Sequence, residues 1–274
     1  NEILTYSFVS PRGVDKINLP ADDEKRNFVK IMNPLGEETS VMRTTLIPNM
    51  LDVISTNISH KVEEVSAFEC GNTFIPQEGL PIETKKYCVG MYGKEVDFFV
   101  LKGVIESVLN NVGLKGYEIE PETTNLTFHP GRCAKIVYNN IYIGTFGELH
   151  PDVIENYNLG QRVYVAEINI DTVFENLNLT KSYNPLPKYP STSRDIALIV
   201  KDEVFVKQIE DIIKANGEDL VESYKLFDVY KGAQIEEGHK SIAYSITYRS
   251  KDKTLTDEDV AKVHEKILSE LSEK

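Results

Sequence analysis

Between Tyr183 and Pro190 the chain reads Tyr-Asn-Pro-Leu-Pro-Lys-Tyr-Pro, with three prolines in six residues. A proline offers no backbone N–H and fixes φ, so this stretch is excluded from a helix interior and from a central strand. It divides the 274 residues into a larger N-terminal part and a smaller C-terminal one. With 41% hydrophobic residues each part is long enough to bury a core. The expected domains are residues 1–187 and 188–274. No apolar run approaches the roughly 20 residues of a membrane span. The first residue is Asn1, and no basic-then-apolar leader precedes the first strand-like segment. The expectation is a soluble piece of a longer protein with no membrane contact.

The formal charge of −13 argues against coating nucleic acid through many Lys/Arg–phosphate contacts. Most of the acidic excess lies before the prolines, and the part after them is nearly balanced. Any RNA contact must therefore be local and set by shape. Cys70, Cys88 and Cys133 are too widely spaced for a disulfide framework or a zinc site, which points to a reducing, cytoplasmic setting.

In the larger part, Leu46, Ile47, Met50, Leu51, Val53, Ile54 and Ile58 recur at helical spacing over Thr45–Ile58, with Pro48 tolerable only in the first turn. A second helix is expected over Phe98–Val112, striped by Leu101, Ile105, Val108, Leu109 and Val112 and stopped by Gly113. Strands are expected at Ser66–Ile75, Lys86–Met91, Ala134–Val137, Ile141–Thr145 and Arg162–Ile170, with Asn139-Asn140 as a tight hairpin turn. The fold class is α+β with an antiparallel sheet, without internal repeats or low-complexity tracts.

In the smaller part, Ser193–Val200, Leu220–Tyr230 and Ser241–Ser250 read as strands. Phe205–Asn216 reads as a helix ended by Gly217, with Val206, Ile209, Ile212 and Ile213 inward. A last helix starts at Asp257 behind a capping box of Thr256 and Asp259. The order β-α-β-β-α is ferredoxin-like, lacking a final strand.

Period-two alternation then sorts the strands into a helix-covered face and an open face. Ile196, Leu198, Val200, Phe227, Val229, Ile242, Tyr244, Ile246 and Tyr248 are expected inward. Asp195, Ala197, Asp228, Tyr230, Ser241, Ala243, Ser245, Thr247 and Arg249 are expected outward. Small residues let a base approach the backbone, Tyr230 offers a stacking plane, and Asp228 accepts from a base edge. A half-solvated sheet ordinarily has a polar outer face as well, so pattern alone leaves plain solvent exposure open beside RNA contact.

The runs SRDIALIV (Ser193–Val200), LFDVYKG (Leu226–Gly232), GHKSIAYSITYRS (Gly238–Ser250) and KTLTDEDV (Lys253–Val260) resemble the ferredoxin-fold anticodon-binding domain of the bacterial phenylalanyl-tRNA synthetase β subunit. The stretches NPLGEETSVMRTTLIPNML (Asn33–Leu51), FECGNTF (Phe68–Phe74), DFFVLKG (Asp97–Gly103), FHPGRCAKI (Phe128–Ile136) and IGTFGELHP (Ile143–Pro151) resemble the adjoining region in order. That resemblance implies a non-catalytic class II aminoacyl-tRNA synthetase-like domain followed by the anticodon-binding domain. It places RNA contacts at Ala197, Asp228, Tyr230 and Ser241, with Tyr230 stacked on the first anticodon base and Asp228 making a polar base contact. It also implies tRNA(Phe) and a catalytic α subunit as partners in an (αβ)2 tetramer, with part of helix Thr45–Ile58 at the interface. ATP and Mg²⁺ would serve the whole enzyme and neither would bind this fragment. Two departures from the pattern are the missing final strand and a short segment between Gly93 and Val96.

A class II adenylation site needs an arginine on the α-phosphate and carboxylates for Mg²⁺. Arg43 is the nearest candidate, and no partnered ATP-clamp arginine follows it. His129-Pro130 and Glu148-Leu149-His150-Pro151 offer potential zinc ligands, but their spacing favours a loop or capped turn. Arg132, beside a glycine, reads as a surface or interface charge.

Overall fold

The computed structural model describes residues 1–177, 179–180, 183, 185–232 and 234–272. Within the proline-rich stretch, Asn184 lies outside the described residues, as do the last two residues of the sequence, Glu273 and Lys274. The chain divides into two compact units, Asn1–Lys181 and Ser182–Lys274.

The N-terminal unit opens with β1 (Phe8–Val9), α1 (Gly13–Lys16) and β2 (Val41–Met42), the two strands pairing as a small ribbon. Then follow α2 (Ile47–Ser59), β3 (Val65–Ile75), β4 (Ile82–Tyr92), α3 (Phe98–Asn111), β5 (Glu118–Pro121), β6 (Phe128–Tyr138), β7 (Ile141–Leu149), α4 (Pro151–Asn156), β8 (Tyr164–Asn169) and α5 (Ile170–Glu175). Six of these strands form an antiparallel sheet in the order β3-β4-β8-β7-β6-β5.

That sheet is covered on both faces. Leu46, Met50, Leu51 and Ile54 pack on one face with Ala67, Cys88, Tyr92 and Val165. Leu101, Ile105 and Leu109 pack on the other with Val89, Met91, Phe146 and Ala166. This explains why the second half of β4, Tyr87–Tyr92, and Tyr164–Ala166 of β8 are apolar on both faces instead of alternating. Each fully buried Leu, Ile or Met contributes about 1.5–3 kcal/mol relative to exposure. Pro48 sits in the first turn of α2, where its missing N–H costs nothing. Asn139 and Asn140, with φ of 48° and 64°, are the two central residues between paired Tyr138 and Ile141, the left-handed pair a type I′ turn requires.

The C-terminal unit runs β9 (Thr192–Lys201), α6 (Val206–Asn216), β10 (Val221–Tyr230), β11 (His239–Tyr248) and α7 (Asp257–Ser272). Its strands are antiparallel in the order β10-β11-β9, so the third strand in sequence is central, as a ferredoxin-like arrangement demands. Ile242, Tyr244, Ile246 and Tyr248 of β11 are fully buried among Ile209 and Ile213 of α6 and Val260, Val263 and Ile267 of α7. The buried tyrosines find partners for their hydroxyls. Tyr248 Oη shares a hydrogen bond with His264 Nδ1 at 2.9 Å, and Tyr244 Oη donates to Glu210 Oε1 at 3.4 Å. The capping box before α7 forms as expected: Asp259 N donates to Thr256 Oγ1 at 3.2 Å and Thr256 N to Asp259 Oδ2 at 3.1 Å.

Candidate nucleic-acid interface

Because both helices of the C-terminal unit pack on one side of a three-stranded sheet, the pairing register decides what the other side presents. Ala243 of β11 pairs with Ala197 of β9 and Asp228 of β10. Two residues along, Ser241 pairs with Ile199 and Tyr230. Directly opposed residues have Cβ atoms about 4.5–5.5 Å apart and project from the same face. All four expected residues, Ala197, Asp228, Tyr230 and Ser241, therefore share the outer face within two adjacent rows. A third row, Asp195, Ser245 and Lys225, continues it. The intervening rows, Ile196–Tyr244–Leu226 and Leu198–Ile242–Val229, have the inward register.

Side-chain size shapes this face. The Ala197–Ala243 and Ser241 positions form a shallow floor beside Tyr230, which is 44% exposed at the end of β10. Gly232 helps set the ring, since a Cβ there would run into the Tyr230 hydroxyl. Just beyond, Lys231 Nζ meets Asp202 Oδ2 at 2.6 Å, and Lys240 Nζ donates to the carbonyls of Asp202 and Val204. These contacts hold the turns after β9 and β10 together and leave little free positive charge beside Tyr230. Ile199, 67% exposed, adds an apolar position that alternation alone did not single out.

Three side chains depart from expectation. Val229 keeps the inward register opposite Ile242 but is 51% exposed and takes no part in the module's core, and two others leave their expected faces. Phe227 does not point into the core: the register slips between Leu226 and Asp228, leaving Phe227 as the extra residue of a β-bulge. It is 54% exposed and takes no part in the module's core. A strict period of two cannot anticipate a bulge, because one inserted residue reverses the phase. Arg249 is not part of the open face either, as β11 ends at Tyr248. Its Nε donates to Glu222 Oε1 at 2.8 Å and its Nη1 to the Tyr189 carbonyl at 2.6 Å, so the guanidinium ties strand ends together.

In the N-terminal unit, Glu69, Cys88 and Glu167 form one cross-strand row on the α2 side of the sheet. Arg43 is buried there and fully engaged. It donates from Nη1 to Glu69 Oε1 and Thr5 Oγ1, both at 2.8 Å, and from Nε to the Asn72 carbonyl at 2.9 Å. A Cβ at Gly71 would collide with the guanidinium. Glu167 Oε1 is occupied by Thr45 Oγ1 and by the Leu46 N–H at the start of α2, both at 2.7 Å. Burial, reinforced by Glu167 and Glu69, pushes the Cys88 thiol well above its ordinary pKa, which keeps it protonated. These groups satisfy one another and do not fit a nucleotide phosphate or Mg²⁺. His150 caps α4, its Nδ1 accepting from Asp152 N at 3.2 Å, and Glu148 accepts from Arg132 Nη1 at 2.8 Å. Neither is arranged as a metal ligand.

The family model described as the phenylalanyl tRNA synthetase beta chain CLM domain matches residues 1–170, and that of the ferredoxin-fold anticodon binding domain matches residues 187–274. Phenylalanine–tRNA ligase beta subunits of Clostridium acetobutylicum and Clostridium tetani are each 47% identical over 274 residues, covering 99% of this chain and 34% of the relative. That of Geobacter metallireducens is 38% identical over 291 residues, covering 100% of this chain and 36% of the relative. The chain thus spans about a third of the length of these relatives. With two family models in the same order as its two compact units, the chain belongs to the phenylalanyl-tRNA synthetase β-chain family.

Proposed function

We propose that this chain is the part of a phenylalanine–tRNA ligase β subunit that holds the anticodon arm of tRNA(Phe) on the outer sheet face of its C-terminal domain. Tyr230 stacks on an anticodon base, Asp228 accepts from a base edge, and Ala197 and Ser241 leave the depth a base needs. Residues 1–187 form a synthetase-like domain without an adenylation site of its own, and 188–274 form the anticodon-binding domain. The N-terminal domain packs against a catalytic α subunit in a cytoplasmic (αβ)2 tetramer. Within it the α subunit joins phenylalanine to tRNA(Phe) with ATP and Mg²⁺. Arg43, closed into an ion pair with Glu69, supports a non-catalytic role for this part of the chain.

The observation that carries the RNA reading is the register, in which Ser241 lies opposite Tyr230 and Ala243 lies between Ala197 and Asp228. The test is Tyr230→Ala. Removing one stacking ring should weaken binding of tRNA(Phe) by about 1–3 kcal/mol, read by filter binding, while association with the α subunit is unchanged. Unchanged tRNA affinity with failed assembly would instead make this face a protein contact.

A further inference from the structure

The β10 bulge has a consequence for the same face. A bulge leaves one residue unpaired, kinks the strand and re-aims its side chain, and bulges recur beside binding sites for that reason. Here the unpaired residue is an aromatic one, and the ring it re-aims is 54% exposed and outside the core. Its neighbour Asp228 is on the outer face opposite Ala243, and Lys225, two residues earlier, is on that face opposite Ser245. Ile199 and Tyr230 expose large apolar surface on the flanking row. An aromatic ring, a carboxylate and an ammonium along one stretch of strand match the three features of a nucleotide: a π-face, a hydrogen-bonding edge and a phosphate.

We propose that Phe227 is a second stacking platform of the RNA site, taking the face of an unpaired base other than the one on Tyr230. This rests on the anticodon-arm reading and extends it by one residue. Phe227 and Tyr230 are three residues apart along a strand, up to about 10 Å at a rise of about 3.3 Å per residue. That is too far for one base to bridge, so the two rings serve different bases.

The test uses the 274-residue chain and a fluorescein-labelled tRNA(Phe) anticodon stem-loop, with affinity read by anisotropy and fold by thermal unfolding. The chain contains no tryptophan, so Phe227→Trp introduces a single reporter at the proposed contact. Phe227→Leu should weaken binding about fivefold or more with the unfolding midpoint unmoved. Phe227→Trp should preserve affinity, and its emission should be quenched on adding unlabelled stem-loop. Wild-type affinity in Phe227→Leu, or unquenched emission in Phe227→Trp, overturns the proposal. If Tyr230→Ala still weakens binding in that case, the anticodon-arm reading survives without Phe227. A weakening in Phe227→Leu that comes with a lowered midpoint assigns the ring a structural role and also overturns it. No binding of the stem-loop by the wild-type chain overturns both.

Discussion

Arg43 and Glu69 show how a residue suited to one chemistry is committed to another. Both side chains are almost wholly buried, and their 2.8 Å contact is supported by Thr5 and the Asn72 carbonyl. Removing one partner strands the other charge in the core, which typically costs about 3–5 kcal/mol. Replacing both by apolar residues of similar volume is often neutral. Glu69→Leu should therefore destabilise the N-terminal unit by that amount in urea unfolding, and Arg43→Met combined with it should recover most of the loss. If the double variant is no more stable than the single one, the pair does more than neutralise itself. The sequence singled out Arg43 as the nearest phosphate-binding candidate but could not show its partner, because Glu69 is 26 residues away and reaches it only through the fold.

At the scale of elements, the C-terminal module was the most legible part, since each of its strands and helices carries its own period and its own stop. The expected bounds fall within a few residues of β9, α6, β10, β11 and α7. Asn139-Asn140 was legible for a different reason: few residues besides asparagine and glycine accept two successive left-handed conformations. What escaped was structure without a local signature. β5 is four residues long and ends on Pro121, and the bulge at Phe227 exists only relative to the strand opposite. The outer sheet face shared that division: alternation put Ala197, Asp228, Tyr230 and Ser241 on it, as the register does, while Phe227 was phased to the wrong face. The α7 cap offers a check on the element reading. Thr256→Ala removes the acceptor for Asp259 N and should cost about 1 kcal/mol, measured as a shift in the urea midpoint of the C-terminal unit. Hydrogen bonds from Lys253, with those from Thr256, hold the Asp259 carboxyl down to about 2. A depressed carboxylate pKa stabilises above the unfolded value and is lost as pH falls through the folded one. The contribution of Asp259 should therefore persist at neutral pH and fade only between pH 3.8 and about 2.

For the molecule as a whole, the charge of −13 sets the terms on which the proposed face would hold RNA. An acidic chain repels a polyanion at distances beyond the Debye length of about 8–10 Å only weakly at physiological salt, but it offers no long-range attraction either. Beside the proposed face Lys231 is paired with Asp202 and Lys240 is turned onto backbone carbonyls, Arg249 lies off it and is held by Glu222 and Tyr189, and Lys225 is the cation in its outer rows. Few cations remain to displace counterions, and stacking on Tyr230 has no counterion to release. The slope of log affinity against log salt should then be shallow, about −2 or less in magnitude, corresponding to no more than about three phosphate contacts at −0.7 each. Anisotropy titrations of the stem-loop across a series of potassium chloride concentrations give that slope directly. A slope of about −4 or steeper would require a basic track that this face does not present, and would move the principal RNA contact elsewhere on the chain.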